Sequence, residues 1–494
     1  MGLEAPAARG HALAAMTLHP ADDRSVRQRC ISWRGSVPCT VQSNGRANRT
    51  PVPEFMVPAR GRTWRGPLWG TPASPVFFQL LAKSYPHPFY GHILNPYHGH
   101  RQAGLPVPEC QHQAKESALD ADAHVILESH PSGDRLRIAV LAHLHHPIAP
   151  PFAGGMESHT AHLAAGLAAR GHHVTLFAKE GSLAPCRVEP VLPQSYAVAG
   201  YPDSDGRDRQ HQALDGAMSR AATSIRTGSY DAVLNNSLSP VPHRELAGIP
   251  TLHVLHTPVL PRLADIFGAP AWEPDPLHRH VTVSHANALQ WRRWLPDIEV
   301  VHNGIALKDW GTGVEPVPGT AAWTGRITPE KGTHLAIAAA RATHTRLQIA
   351  GPIQDPEYFR ALIEPELDRG ITYRGHLGQH ELGKMISSAQ VFISSPLWEE
   401  PFGLTTLEAI ACGTPVAALP GGAMAEIING HAGVVAHRRD AAALARAIIQ
   451  ARDLDRTQVR NSARAFSLES MIEAYENRLV AVAAVRSVPQ ERHS

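Results

Sequence analysis

Two carboxylates, Glu400 and Glu408, stand with seven residues between them in the stretch Trp398-Glu399-Glu400-Pro401-Phe402-Gly403-Leu404-Thr405-Thr406-Leu407-Glu408-Ala409. Pro401 and Gly403 favour a turn, because proline fixes φ and glycine accepts backbone angles that other residues avoid. After Gly403, Leu404, Leu407, Glu408 and Ala411 follow helical spacing, and Gly413 and Pro415 end the helix. Glu400 is therefore expected on a loop and Glu408 on the first turns of a buried helix. The free N–H groups of that helix start would face the same space and suit a phosphate or an array of sugar hydroxyls. Taken alone, the spacing also allows an acid and a base sharing one site.

Two further stretches carry chemistry. Thr324-Gly325-Arg326-Ile327-Thr328-Pro329-Glu330-Lys331-Gly332 follows an apolar strand. Arg326 offers a planar fork of donors and Lys331 a mobile point charge, a combination suited to a diphosphate. On its own the stretch would serve equally as a solvated charged loop. Gly154-Gly155-Met156-Glu157 lets backbone approach a ligand closely, or makes a tight turn. It is not the G-x-G-x-x-G fingerprint, which disfavours a nicotinamide oxidoreductase.

The elements that must position these residues begin at Arg137. Arg137–Ala142 reads as a buried strand, a helix runs from Gly154-Gly155 to about Arg170, and His173–Ala178 is the next strand. Strand, glycine turn, helix and strand within about forty residues make a βαβ unit. Further strands are expected at Asp231–Leu234, Thr251–Leu255, Val281–Val283 and Glu299–Val301. A Gly/Pro-rich linker, Gly311 to Gly319, leads to a second alternation from Ala321. Its strands fall near Leu347–Ala350, Ile371–Arg374, Val391–Ser394, Val416–Ala418 and Gly433–Val435, with helices at about 331–342, 379–388, 404–412, 424–429 and 440–452. Leu468 to Val485 is a long amphipathic helix. The fold class is α/β, two doubly wound Rossmann-like domains facing a cleft. The expected division is a first domain over 135–308, a second over 309–466, and a C-terminal helix and tail over 467–494.

Residues 1–134 read differently, crowded with Pro, Gly, Arg, His and Trp and without sustained periodicity. Val76–Leu81 and Val125–Leu127 could form short elements, but the segment offers little to offset its ordering entropy. It is expected to be a disordered extension, or the product of a start placed too far upstream.

Bulk properties narrow the function. A formal charge of +2 on 494 residues gives no electrostatic reason to expect a nucleic-acid partner. The 31 histidines are scattered without metal-ligand spacing, and the His145-His146 and His172-His173 pairs would face opposite sides of a strand. Asp203-Ser204-Asp205 has the letters of a metal motif but is expected in a polar loop. Five cysteines (Cys30, Cys39, Cys110, Cys186, Cys412) form no CxxC pair and read as reduced thiols of a cytoplasmic protein. No apolar run reaches transmembrane length and no secretory leader opens the chain, which leaves only peripheral membrane contact open.

In order along the chain, the Gly154-Gly155 loop, Gly325-Arg326 with Lys331-Gly332, and the Glu400/Glu408 element resemble retaining glycosyltransferases of family 4, with the GT-B fold. His302-Asn303-Gly304-Ile305, Gly351-Pro352, Gly375-His376-Leu377 and Ala411-Cys412-Gly413-Thr414-Pro415-Val416 match further stations of that family. The resemblance covers about residues 135 to 485.

It implies the following roles. Arg326 and Lys331 would neutralise the donor diphosphate as it departs. Glu408 would accept hydrogen bonds from the ribose. Glu400, with the amides of Phe402, Gly403 and Leu404, would hold the sugar hydroxyls. Gly154 and Gly155 would bring an amide to a phosphate oxygen, and His256 would contact the donor sugar near its anomeric centre. Glu426 would cap or brace the donor loop, although Ala425 stands where the family often has proline. No metal or other cofactor is implied, the nucleotide-diphosphate sugar being a co-substrate. A UDP-sugar is favoured as donor, then GDP-mannose, with a small molecule, glycan or lipid as acceptor. The rivals are a nucleotide-sugar epimerase on the same scaffold and a non-catalytic sugar-nucleotide sensor.

Overall fold

Continuous runs of buried aliphatic residues build two all-parallel sheets, as expected where helices cover both faces of a strand. In the first sheet β1 (Arg137–Leu141), β2 (His173–Lys179), β3 (Arg187–Leu192), β4 (Ala232–Asn235), β5 (Thr251–Leu255), β6 (His278–Thr282) and β7 (Glu299–Val300) lie in the order β3-β2-β1-β4-β5-β6-β7. In the second, β8 (Val317–Thr324), β9 (Arg346–Ala350), β10 (Ile371–Tyr373), β11 (Ala389–Ser394), β12 (Val416–Ala418) and β13 (Gly433–Val435) lie in the order β10-β9-β8-β11-β12-β13. Ile138 to Leu141 of β1 and all of β12 are fully buried. Both orders reverse beside their first strand, between β1 and β4 and between β8 and β11. That switch point opens a crevice at the carboxyl ends of the strands. The computed structural model describes residues 135–198, 204–311 and 313–485, so the elements expected at Val76–Leu81 and Val125–Leu127 lie outside it.

Four expectations change. Ser204 and Asp205 do not lie in a polar loop: they open a 24-residue helix, Ser204–Thr227, whose charged outer face hid the stripe of Leu214, Met218, Ala221 and Ile225 that packs on the sheet. The edge strand β3 also escaped notice, since Pro190 interrupts its apolar alternation. The histidine pairs are not strand pairs: His145 and His146 lie in the loop after β1, and His172 precedes β2. Finally, Lys331 closes a short 3-10 turn rather than entering a helix, and left-handed Gly332 separates it from the Thr333–Ala342 helix.

The long Leu468–Val485 helix is not a separate tail. It crosses back and packs on the first sheet, with Tyr475 and Leu479 fully buried. Glu476 receives Arg170 at 2.6 Å and His172 at 2.9 Å, and Arg478 reaches Glu299 at 2.6 Å. The chain thus passes between the domains twice, and the two passages touch where Ile305 bridges to Ser467. Arg460 pins the outgoing passage, donating to the carbonyls of Leu307 and Trp310 at 2.8 Å each.

Candidate active site

Loops from the carboxyl ends of both sheets surround a single cavity of about 520 Å³. Ten residues singled out in the sequence line it, Glu426 being the exception: Gly154, Gly155 and His256 from the first domain, and Arg326, Lys331, Glu400, Phe402, Gly403, Leu404 and Glu408 from the second. These positions are spread over more than 250 residues of sequence and meet only because both switch points face one space.

The cations are held in place by acids and amides. Lys331 Nζ lies 2.6 Å from Glu400 Oε2, which also accepts from Trp398 Nε1 at 2.8 Å, and the ammonium sits 5.0 Å above the Trp398 ring. Arg326 donates to Gln354 Oε1 at 2.8 Å and faces Glu330 at 3.9 Å. Trp398, Gln354 and Glu330 are supporting residues that sequence reasoning did not assign. Trp398, two residues before Glu400, was the only one with a visible signal.

Glu408 projects from the second turn of the Leu404–Ala411 helix into the cavity. Among the described residues its carboxyl has no hydrogen-bond or ion-pair partner, and burial pushes it up to about 8. The amides of Gly403 and Leu404 at that helix start likewise find no acceptor among the described residues. Phe402 is buried by its side chain, which packs near Phe466 and His302, so only its backbone can serve a ligand. Gly155 begins the Gly155–Ala169 helix and touches the other domain: a Cβ there would lie 2.8 Å from Leu404 Cδ1.

His256 follows β5 and is buried and neutral, its ionisation suppressed mainly by burial. Its Nε2 meets Asn236 Oδ1 at 3.2 Å. The carbonyls on either side of it are pinned: Asn287 Nδ2 reaches Leu255 O and Thr257 O at 3.0 Å each, and Trp291 Nε1 adds a bond to Thr257 O at 3.0 Å. Beneath the cleft, His143 and Glu157 form a buried pair at 3.2 Å. Neither that pair nor the Asn287 anchor was visible in the sequence, because their partners are distant in the chain.

Glu426 does not brace the donor loop. It caps the first-domain helix His285–Trp291, accepting from His285 N at 2.9 Å and Ala286 N at 2.6 Å, and it meets His302 Nε2 at 3.2 Å. The donor-side loop is instead held by Glu399, whose carboxylate pairs with Arg439 while Gly422 donates its amide to it at 2.5 Å.

The arrangement can take a polyhydroxylated, diphosphate-bearing ligand across two domains. Comparison with known proteins gives the family. Residues 153–309 match the model described as Glycosyltransferase Family 4, and residues 318–453 the model of Glycosyl transferases group 1. The chain is 27% identical to a D-inositol 3-phosphate glycosyltransferase of Mycolicibacterium smegmatis over 62% of this chain and 80% of the relative. It is 38% identical to a glycogen synthase of Mycobacterium tuberculosis, but over only 31% of this chain and 39% of that protein's length. Among solved structures, Anabaena HepE in complex with UDP and glucose superposes with a TM-score of 0.54 at 15% identity, covering 70% of this chain and all of that one. Two Rossmann-like domains, one cleft and both family matches lead to one conclusion: the chain belongs to the glycosyltransferases of family 4 and has the GT-B fold.

Proposed function

We propose that the chain transfers a hexose from a nucleotide-diphosphate sugar to an acceptor with retention of anomeric configuration. The observation that carries this reading is the convergence on one cleft of two anchored cations, Arg326 and Lys331, and one unpartnered acid, Glu408. The cations stabilise the charge that develops on the departing diphosphate, so the reaction needs no metal ion. Glu408 takes the ribose hydroxyls. Glu400 and the amides of Phe402, Gly403 and Leu404 orient the sugar. Glu400 is read as a holder of the sugar rather than a covalent nucleophile, since it would sit beside the sugar ring rather than under C1, with Lys331 and Trp398 orienting its Oε2. The acceptor attacks from the face the diphosphate leaves, and the diphosphate takes its proton. From the first domain, Gly154 and Gly155 bring an amide to the donor phosphate and His256 contacts the donor sugar, while the acceptor binds around residues 145–160 and the loops after Asn235 and His256.

A UDP-sugar is the preferred donor, a choice supported by the UDP and glucose bound in HepE; GDP-mannose is the second. The acceptor is a small molecule, a glycan or a lipid. Cytoplasmic location is supported by the free thiols of Cys186 and Cys412. No helix among the described residues is long and apolar enough to cross a membrane.

A thermal-shift screen of UDP- and GDP-sugars tests the donor, since a ligand that binds only the folded state raises its stability. A rise in Tm with UDP-sugars, larger than with GDP-mannose, is expected; no response to any nucleotide sugar would sink the reading. Donor incubated without acceptor should give only slow hydrolysis. An altered nucleotide sugar as product would instead identify an epimerase.

A further inference from the structure

Metal-ligating side chains gather at the junction of the two domains, outside the cleft. His285 opens the His285–Trp291 helix of the first domain, His302 follows β7, and Glu426 belongs to the Met424–Ile427 helix of the second. One ligand atom from each lies within 4.8 Å of the other two. Two of them are already close, with His302 Nε2 3.2 Å from Glu426 Oε2.

Both are also aimed. The His302 ring stands edge-on to Phe466, with centroids 5.5 Å apart, and tilted to Phe402 at 6.0 Å. The Glu426 carboxylate is oriented by the amides of His285 and Ala286. Such outer contacts fix the direction of a ligating group before an ion arrives. Ligands of a tetrahedral zinc ion stand roughly 3.4 Å from one another, given bonds of about 2.1 Å. His302 and Glu426 already stand near that spacing, and His285, the exposed member, lies within 4.8 Å of both.

A second histidine group does not meet the same requirement. His243, His253 and His280 are stacked with interplanar angles of 15°, 4° and 12°, so no point within bonding distance lies near the plane of all three rings. The nitrogens of His253 are also engaged. Asn235 Oδ1 accepts from Ser237 N at 3.0 Å, which turns its Nδ2 toward His253 Nδ1 at 2.9 Å. His253 Nε2–H then donates to His278 Nδ1 at 3.3 Å.

We propose that His285, His302 and Glu426 form a zinc-class transition-metal site, with two imidazoles, one carboxylate and a solvent ligand, that ties the two domains together when occupied. An ion with ligands from both domains resists any motion that parts them. On the reading proposed above, it would therefore inhibit sugar transfer by slowing exchange of ligands through the cleft.

The test titrates the full chain with ZnCl2 and CoCl2, following calorimetry, visible absorption and thermal melting, in wild type, His285→Asn and Glu426→Gln. His285→Asn changes an exposed side chain outside the cleft, so its own melting temperature without metal serves as the folding control. The expected result is one ion per chain, cobalt absorption bands and a zinc-induced rise in Tm in wild type. Affinity should fall roughly ten-fold or more in each variant. Equal zinc and cobalt responses in all three proteins would assign the ion to other histidines, and absence of binding in wild type would likewise overturn the proposal. Zinc inhibition of transfer should be relieved roughly ten-fold in His285→Asn. Metal binding intact in a protein without transfer activity would count against the proposed function and leave the site standing.

Discussion

Lys331 and Glu400 form one unit, 2.6 Å apart and half-buried, so substitutions at the two act differently. Lys331→Ala removes a leaving-group partner and also strands a carboxylate. Turnover should fall by about two to three orders of magnitude, equivalent to about 3–4 kcal/mol in the transition state. Arg326→Ala should cost a similar amount, and steady-state kcat close to wild type in either variant would remove that residue from the chemistry. Glu408 makes a prediction in pH. Burial raises its carboxyl to about 8 in the free protein, whereas ribose hydroxyls that donate to it favour the ionised form. Binding therefore releases a proton below that value. Calorimetric affinity for UDP should climb between pH 7 and 8, by up to about ten-fold, and level off above. Glu408→Gln should bind more weakly and lose this slope; a variant with the wild-type slope would show that Glu408 does not touch the nucleotide.

Behind these side chains stand loops whose shape depends on close backbone approach. Gly351, at φ 142°, lies against the Arg326 loop, where a Cβ would fall 1.8 Å from Gly325 O. Gly422, at φ 54°, backs the Glu400 loop, with a Cβ position 2.1 Å from Glu400 O. The neighbour is backbone in both cases and cannot swing aside. Gly422→Ala should therefore displace Glu400 and lower kcat by at least about ten-fold, with a loss of stability of roughly 1–3 kcal/mol. Unchanged kinetics and Tm would mean that the loop tolerates the shift. The sequence carried much of this level. Thr251–Leu255, Gln379–Ser388, Val416–Ala418, Gly433–Val435 and Leu468–Val485 have the bounds that periodicity assigned, because apolar runs closed by Gly, Pro or a charge leave little choice. The Gly351-Pro352 station was likewise legible as a motif. Its contact with Gly325 was not, since pairing between distant loops leaves no mark on either segment. The same holds for the anchors of His256, and for the Leu468–Val485 helix, whose pattern announces a buried face without saying which sheet buries it.

At the scale of the whole molecule, the first domain encloses an unusual load of neutral imidazole. Burial pushes His145, His159 and His280 down to about 3, and His243, His253 and His256 well below the ordinary value of 6.5. His280 and His278 depress His243 and His253 further, and His278 with Arg279 does the same to His280. The unfolded chain protonates these rings near pH 6.5 and the folded chain does not, so below that pH the unfolded state binds more protons. Stability is complete above pH 6.5 and falls as pH drops, by up to about 1.4 kcal/mol per pH unit for each ring. Glu408 acts in the opposite direction: its raised carboxyl makes stability fall as pH rises from 4.5 toward 8. One acid cannot offset six rings between pH 6.5 and 5, so Tm should drop steeply across that interval. Two rings give a direct check, because Nε2 of His243 and Nε2 of His280 are buried without a hydrogen-bond partner among the described residues and Phe267 already packs edge-on against both. Replacing both by phenylalanine removes two proton acceptors while keeping aromatic volume. Melting curves of the double variant should lose less Tm than wild type between pH 6.5 and 5, and parallel curves would mean that the acid sensitivity lies outside the stack.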